Sequence, residues 1–96
     1  EVFMVLKGKM AVLEFDDNGN VIDYIILDNL KGSYAAEIPP RTWHTIISLE
    51  SGSVAYEIKN GPYVQIDDKN FASWAPKEGD KEVENYLARL LTEIGI

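Results

Sequence analysis

Val2-Phe3-Met4-Val5-Leu6-Lys7-Gly8-Lys9-Met10-Ala11-Val12-Leu13-Glu14-Phe15-Asp16-Asp17-Asn18-Gly19-Asn20 decides the fold class. Two short apolar runs flank a lone glycine, and the second ends in a cluster of Asp, Asn and Gly. Runs of this length bounded by breakers read as β-strands, because a helix needs about ten residues or more. Lys7-Gly8-Lys9 reads as a tight reversal, and Asn18-Gly19 offers the positive φ that a hairpin tip over 16 to 20 requires. Val2 to Leu6 is apolar on both faces, as expected of a central strand covered on each side. Glu14, between Leu13 and Phe15, gives the second strand one face open to water.

Outward from this stretch the same texture continues. Val21 to Leu27, Tyr34 to Ile38, Thr45 to Leu49 and Ser53 to Ile58 are further strand candidates, with Ser51-Gly52 as another turn. Pro39-Pro40-Arg41 removes two backbone donors in succession, so pairing must stop after Ile38 and resume near Trp43 and His44. Six strands joined by short turns predict a sandwich or barrel. From Asp80 to Ile94 the period changes: Val83, Leu87, Leu90, Leu91 and Ile94 fall on one helical face, with Asp80 suited to the N-cap and Gly95 to the C′ position. This helix is expected to pack on the outside of the sheet. Tyr63, Phe71 and Trp74 mark the connecting segment from Asn60 to Gly79 as a loop pressed onto the barrel. The chain therefore divides into a β-barrel over 1–66 and an aromatic loop with a C-terminal helix over 67–96, within a single domain.

Composition narrows the function classes. Sixteen acidic against nine basic residues in 96 give a net charge of −7, and the basic residues form no patch in sequence, so neither nucleic acid nor an anionic membrane surface is an expected partner. The absence of cysteine excludes disulfides, thiolate metal sites and cysteine nucleophiles, and accords with the cytoplasmic location expected here. No phosphate-binding glycine loop, Gly-x-Ser-x-Gly elbow or His-Glu-x-x-His helix is present. What remains is Pro39-Pro40-Arg41-Thr42-Trp43-His44, a proline turn that delivers the sole histidine to the start of a strand, on one face with Ile46 and Ser48. A lone histidine on an apolar strand serves either as a hydrogen-bonded core residue or as a ligand. Tyr56 lies on a strand and can face the cavity or the second sheet, with a core role favoured. Arg41, beside the turn, is a candidate for an anionic sugar or nucleotide phosphate or a plain surface residue.

Glu1, followed by six residues and Gly8, and then Gly32, Pro39 and His44, resembles the two motifs of the cupin superfamily. Arg41 stands where that pattern has its turn glycine. The chain is most similar to the WbuC family of cupin-fold metalloproteins. This likeness is carried by Gly8 to Asp17, Ile38-Pro39 with Thr42-Trp43-His44-Thr45, Gly61-Pro62-Tyr63, and Asp68-Lys69-x-Phe71-Ala72-x-Trp74-Ala75-Pro76 followed by Glu78-Gly79. The resemblance implies an all-β, jelly-roll-like double-stranded β-barrel with a C-terminal helix, usually a homodimer. It implies Glu1 and His44 as ligands of a divalent metal ion such as Zn²⁺, Fe²⁺, Mn²⁺ or Ni²⁺, with two further histidines upstream of Glu1, so the N-terminal part is expected to be missing. It also implies a role in bacterial surface polysaccharide (O-antigen) biosynthesis on a sugar or nucleotide-sugar. The alternatives are a non-catalytic cupin holding a small sugar-like ligand and a structural, metal-free dimer.

Overall fold

The computed structural model describes residues 1–30, 32–59, 72–77 and 79–96. Gly61-Pro62-Tyr63, Asp68, Lys69 and Phe71, which carry part of the resemblance, lie outside the described residues. The fold is mostly β with one C-terminal helix: β1 (Val2–Lys7), β2 (Lys9–Phe15), β3 (Val21–Asp28), β4 (Ala35–Glu37), β5 (Trp43–Ser48), β6 (Val54–Ile58) and α1 (Val83–Glu93). All strand pairs are antiparallel, in two three-stranded sheets of order β4-β1-β6 and β3-β2-β5.

The tight reversal read at Gly8 is a corner between sheets, since β1 and β2 belong to different ones. Its φ of 83° places it in the left-handed region, and an added Cβ would meet the Ser53 hydroxyl and lie 2.9 Å from Ser53 Cα. Ser53 ties this corner to the one between β5 and β6. Its Oγ accepts from the Lys9 N–H at 3.1 Å and lies 2.8 Å from the Glu50 carbonyl, to which it donates. The β2–β3 hairpin is built as the Asn-Gly tip predicts. Both Asn18 and Asn20 donate their backbone N–H to Asp16 Oδ1, at 2.9 and 2.8 Å, and Gly19 has φ 89°. The Asn20 side-chain amide, followed by backbone N–H groups, holds the Asp16 carboxyl below its ordinary value.

Burial reverses the expected roles of the first two strands. β2, not β1, is covered on both faces: Met10 and Val12 pack between the sheets with Phe3, Val5, Leu27 and Ile38, while Ala11, Leu13 and Phe15 pack under the helix with Leu90 and Ile94. Glu14 is half-buried at the end of that strand, where the burial of its neighbours outweighs its one charge. β1 keeps only Phe3 and Val5 buried, and its outward face is left partly open with Leu6 54% exposed. The helix lies over the β3-β2-β5 sheet on the face read from its period, with Leu90 fully buried. Its C-terminus closes as a Schellman motif: Ile96 N–H donates to Leu91 O at 2.9 Å, Gly95 N–H to Thr92 O at 3.1 Å, and Gly95 has φ 85°. At the other end Asp80 does not cap directly. Glu82 is the N-cap residue, and Asp80 Oδ1 accepts its N–H at 3.1 Å, one short turn before the helix begins. No helix among the described residues is long and apolar enough to cross a membrane.

Candidate metal centre

The Pro39–Thr42 turn sets the site. Ile38 still pairs with Glu1, its N–H donating to the Glu1 carbonyl at 2.7 Å, and the prolines then end the ladder. Arg41 takes φ 59°, a left-handed conformation that a side chain pays for, so the turn keeps the geometry for which glycine is the ordinary choice. β5 then begins, and its period of two sends neighbours to opposite faces. Trp43 points to the helix side, 6.1 Å from the Trp74 ring, whereas His44 points between the sheets, 5.7 Å from the Phe3 ring.

His44 and Glu1 meet across the gap between sheets, with Nε2 3.2 Å from Glu1 Oε2 and side-chain exposures of 22% and 28%. The other ring nitrogen determines the chemistry. Nδ1 lies 2.8 Å from the Thr42 carbonyl oxygen, which can only accept, so Nδ1 carries a hydrogen. In the neutral ring Nε2 then presents its lone pair to a carboxylate, and two electron-rich groups face each other. Only a cation between them, either a proton or a metal ion, makes that approach favourable. Metal–ligand bonds of about 2.0–2.2 Å separate two donors on one ion by about 2.9 Å at a right angle and about 3.4 Å at the tetrahedral angle. The observed 3.2 Å lies between these limits, so the pair fits two corners of a coordination sphere as it stands. Among the described residues no group of three or more His, Asp or Glu side chains converges as a metal site, and the pair supplies two donors only.

Glu57 and Lys59 join this pair and were not singled out in the sequence. Lys59 Nζ is 3.2 Å from Glu57 Oε1 and 3.9 Å from Glu1 Oε1, so the ammonium sits between two carboxylates beside the Glu1–His44 pair. The signal for them is a polar phase through Glu57 in β6 to Lys59 just past its end, which the apolar phase obscured. Tyr56 belongs to that apolar phase. It pairs with Met4 on the face away from Phe3 and is 56% exposed, which corrects its placement in the cavity or the core. The reason is register: Phe3 stands opposite Glu57, so the even-numbered residues of β6 point outward. Arg41 does line the cleft and is exposed. Glu14 stands opposite His44 in the β2–β5 register but does not line the cleft.

The cleft, of about 920 Å³, curls round the proline turn from Glu1, His44 and Lys59 to the aromatic side at Trp74 and Tyr86. Its size falls within the range of small-molecule sites, about 300–1,000 Å³. Trp74 acts as a clamp: its ring packs 5.1 Å from that of Phe15 and close to Gly19, where a Cβ would come within 2.7 Å. The Tyr86 hydroxyl is buried without a hydrogen-bond partner among the described residues, and burial pushes its phenol up from the ordinary value. Comparison with known protein families, curated proteins and solved structures returns no match to this chain.

Proposed function

We propose that this chain is a metal-binding protein of the cupin jelly-roll type, akin to the WbuC family, that uses Glu1 and His44 as ligands of a divalent ion. The observation that carries the reading is the orientation of His44: Thr42 holds Nδ1 and leaves Nε2 facing the Glu1 carboxylate at 3.2 Å. The connectivity supports it. In an eight-strand jelly roll the chain changes sheet at nearly every connection. Here only β2 to β3 stays within one sheet, and the six strands follow the order of the last six of such a roll, with β5 and β6 left as edges beside the cleft.

A bound divalent ion would act as a Lewis acid on a carbonyl or hydroxyl oxygen of a sugar-like ligand. The chain's own residues do the rest. Phe3 packs against the imidazole from the core side, Arg41 offers positive charge to an anionic group such as a nucleotide-sugar phosphate, and the proline turn fixes the rim. The role in surface-polysaccharide synthesis and the homodimer rest on the family resemblance, and the cytoplasmic location on the cysteine-free composition. A partner subunit would have the exposed apolar face of β1 and β6 to cover, where Leu6, Val54, Tyr56 and Ile58 stand open.

Metal analysis of the full-length protein purified without chelator tests the reading. About one ion per chain is expected in the parent, with most of it lost in His44→Ala and in Glu1→Gln. Metal absent from the parent and the variants alike, after Zn²⁺ and Mn²⁺ supplementation, would leave a non-catalytic ligand-binding cupin, which sugar binding without turnover would identify.

A further inference from the structure

We propose that Lys59 sets the cation affinity of the Glu1–His44 pair by competing, within the molecule, for the Glu1 carboxylate; the inference rests on the metal-binding reading of that pair. It starts from an inversion in β6. Val54, Tyr56 and Ile58 turn outward and stay 47%, 56% and 48% exposed, while the polar phase of the strand faces the gap between the sheets. The register that sets Glu57 opposite Phe3 carries Lys59, two residues on, alongside Glu1. β6 is exposed along its whole length, so Glu57 and Lys59 stand at the rim of the cleft, with Lys59 in reach of Glu1.

The placement divides one carboxylate between an imidazole and an ammonium. Glu1 Oε2 faces His44 Nε2 at 3.2 Å, and Oε1 faces Lys59 Nζ at 3.9 Å. Glu57, 3.2 Å from the same ammonium, keeps Lys59 in that position. A divalent ion taken up at Nε2 and Oε2 therefore meets a carboxylate whose charge is already partly offset, with the ammonium on its far oxygen. Charges of +2 and +1 roughly 6 Å apart in a water-like medium disfavour binding about tenfold, and more where water is excluded. Lys59 thus sets the affinity of the pair, lowering it by a similar factor for every divalent ion.

Calorimetric titration of the full-length protein with Zn²⁺, at fixed pH and ionic strength, tests this in the parent, Lys59→Met, Lys59→Gln and Lys59→Arg. Both neutral variants are expected to bind Zn²⁺ at least about tenfold more tightly, Lys59→Arg to stay within about twofold of the parent, and the difference to shrink as salt is raised. A role in packing alone predicts no rescue by arginine and no salt dependence. Unchanged or weaker binding in both neutral variants overturns the proposal while the parent's own Zn²⁺ binding keeps the site. Zn²⁺ binding by neither parent nor variants overturns the proposal and the metal-binding reading together.

Discussion

His44 is the only histidine in the chain, and the backbone decides what it can do. Thr42, two residues back, takes the Nδ1 hydrogen, and the alternation of β5 carries Nε2 towards Glu1. The same turn holds Arg41 at φ 59°, a conformation costing a non-glycine residue about 1–2 kcal/mol, part of which glycine returns in a more flexible unfolded chain. Arg41→Gly should therefore stabilise the protein by about 0.5–1 kcal/mol in urea unfolding, without moving His44. A loss of stability instead would mean that the guanidinium makes contacts worth more than the strain. His44 stood out because a proline turn delivers it to the start of a strand, whereas Glu1 came in only through the resemblance to the cupin motifs. Glu57 and Lys59 did not stand out, because a strand's apolar phase is ordinarily its inward one, and only the pairing with β1 reveals that β6 is turned the other way.

Local strand and helix signals translated well at the level of elements. β1 covers the apolar run from Val2 to Leu6, the Asn-Gly tip folds, and α1 is closed by a Schellman motif with Gly95 at the C′ position read for it. Which sheet each strand joins was not legible, since a glycine with positive φ serves a hairpin and a corner equally well. Gly8→Ala distinguishes them energetically. At a corner pressed against Ser53 the substitution should cost at least about 2 kcal/mol, read as a lower midpoint in chemical denaturation, because strain and displacement of a neighbouring backbone add. In an open reversal it would cost only the strain. The hairpin tip has its own pH signature. The Asp16 carboxyl is held below the usual value in the folded chain, so the folded tip binds its proton less readily than the unfolded chain does. Its contribution is complete above the ordinary carboxylate value and is lost as pH falls through the lowered one. Hydrogen exchange at the amides of Asn18 and Asn20 should accelerate, beyond the intrinsic pH trend, over that acid range, and Asp16→Asn should remove most of the transition.

At the scale of the whole molecule, two small cores share one strand. β2 seals the gap between the sheets on one face and the helix on the other, so the rigid part of the protein lies behind the site. The cleft opens on the opposite side, where β5 and β6 are edges and where every residue of β6 is exposed. This division suits a binding site: donors just before β1 and on β5, backed by a packed core, beside a rim able to admit a ligand. The six-strand, two-sheet plan with an external helix was foreseeable from period and breakers. The open edges depend on long-range pairing, which no local pattern encodes.

The most direct test uses the chain's single imidazole. Nitrogen-15 NMR of the His44 ring, recorded before and after addition of Zn²⁺, reads each ring nitrogen separately. The account predicts a protonated Nδ1 in both states, with the Nε2 resonance shifting on Zn²⁺ addition and the shift abolished in Glu1→Gln. An Nε2 resonance indifferent to Zn²⁺, or a neutral ring whose hydrogen sits on Nε2, would contradict the assignment of His44 and Glu1 as a metal-binding pair.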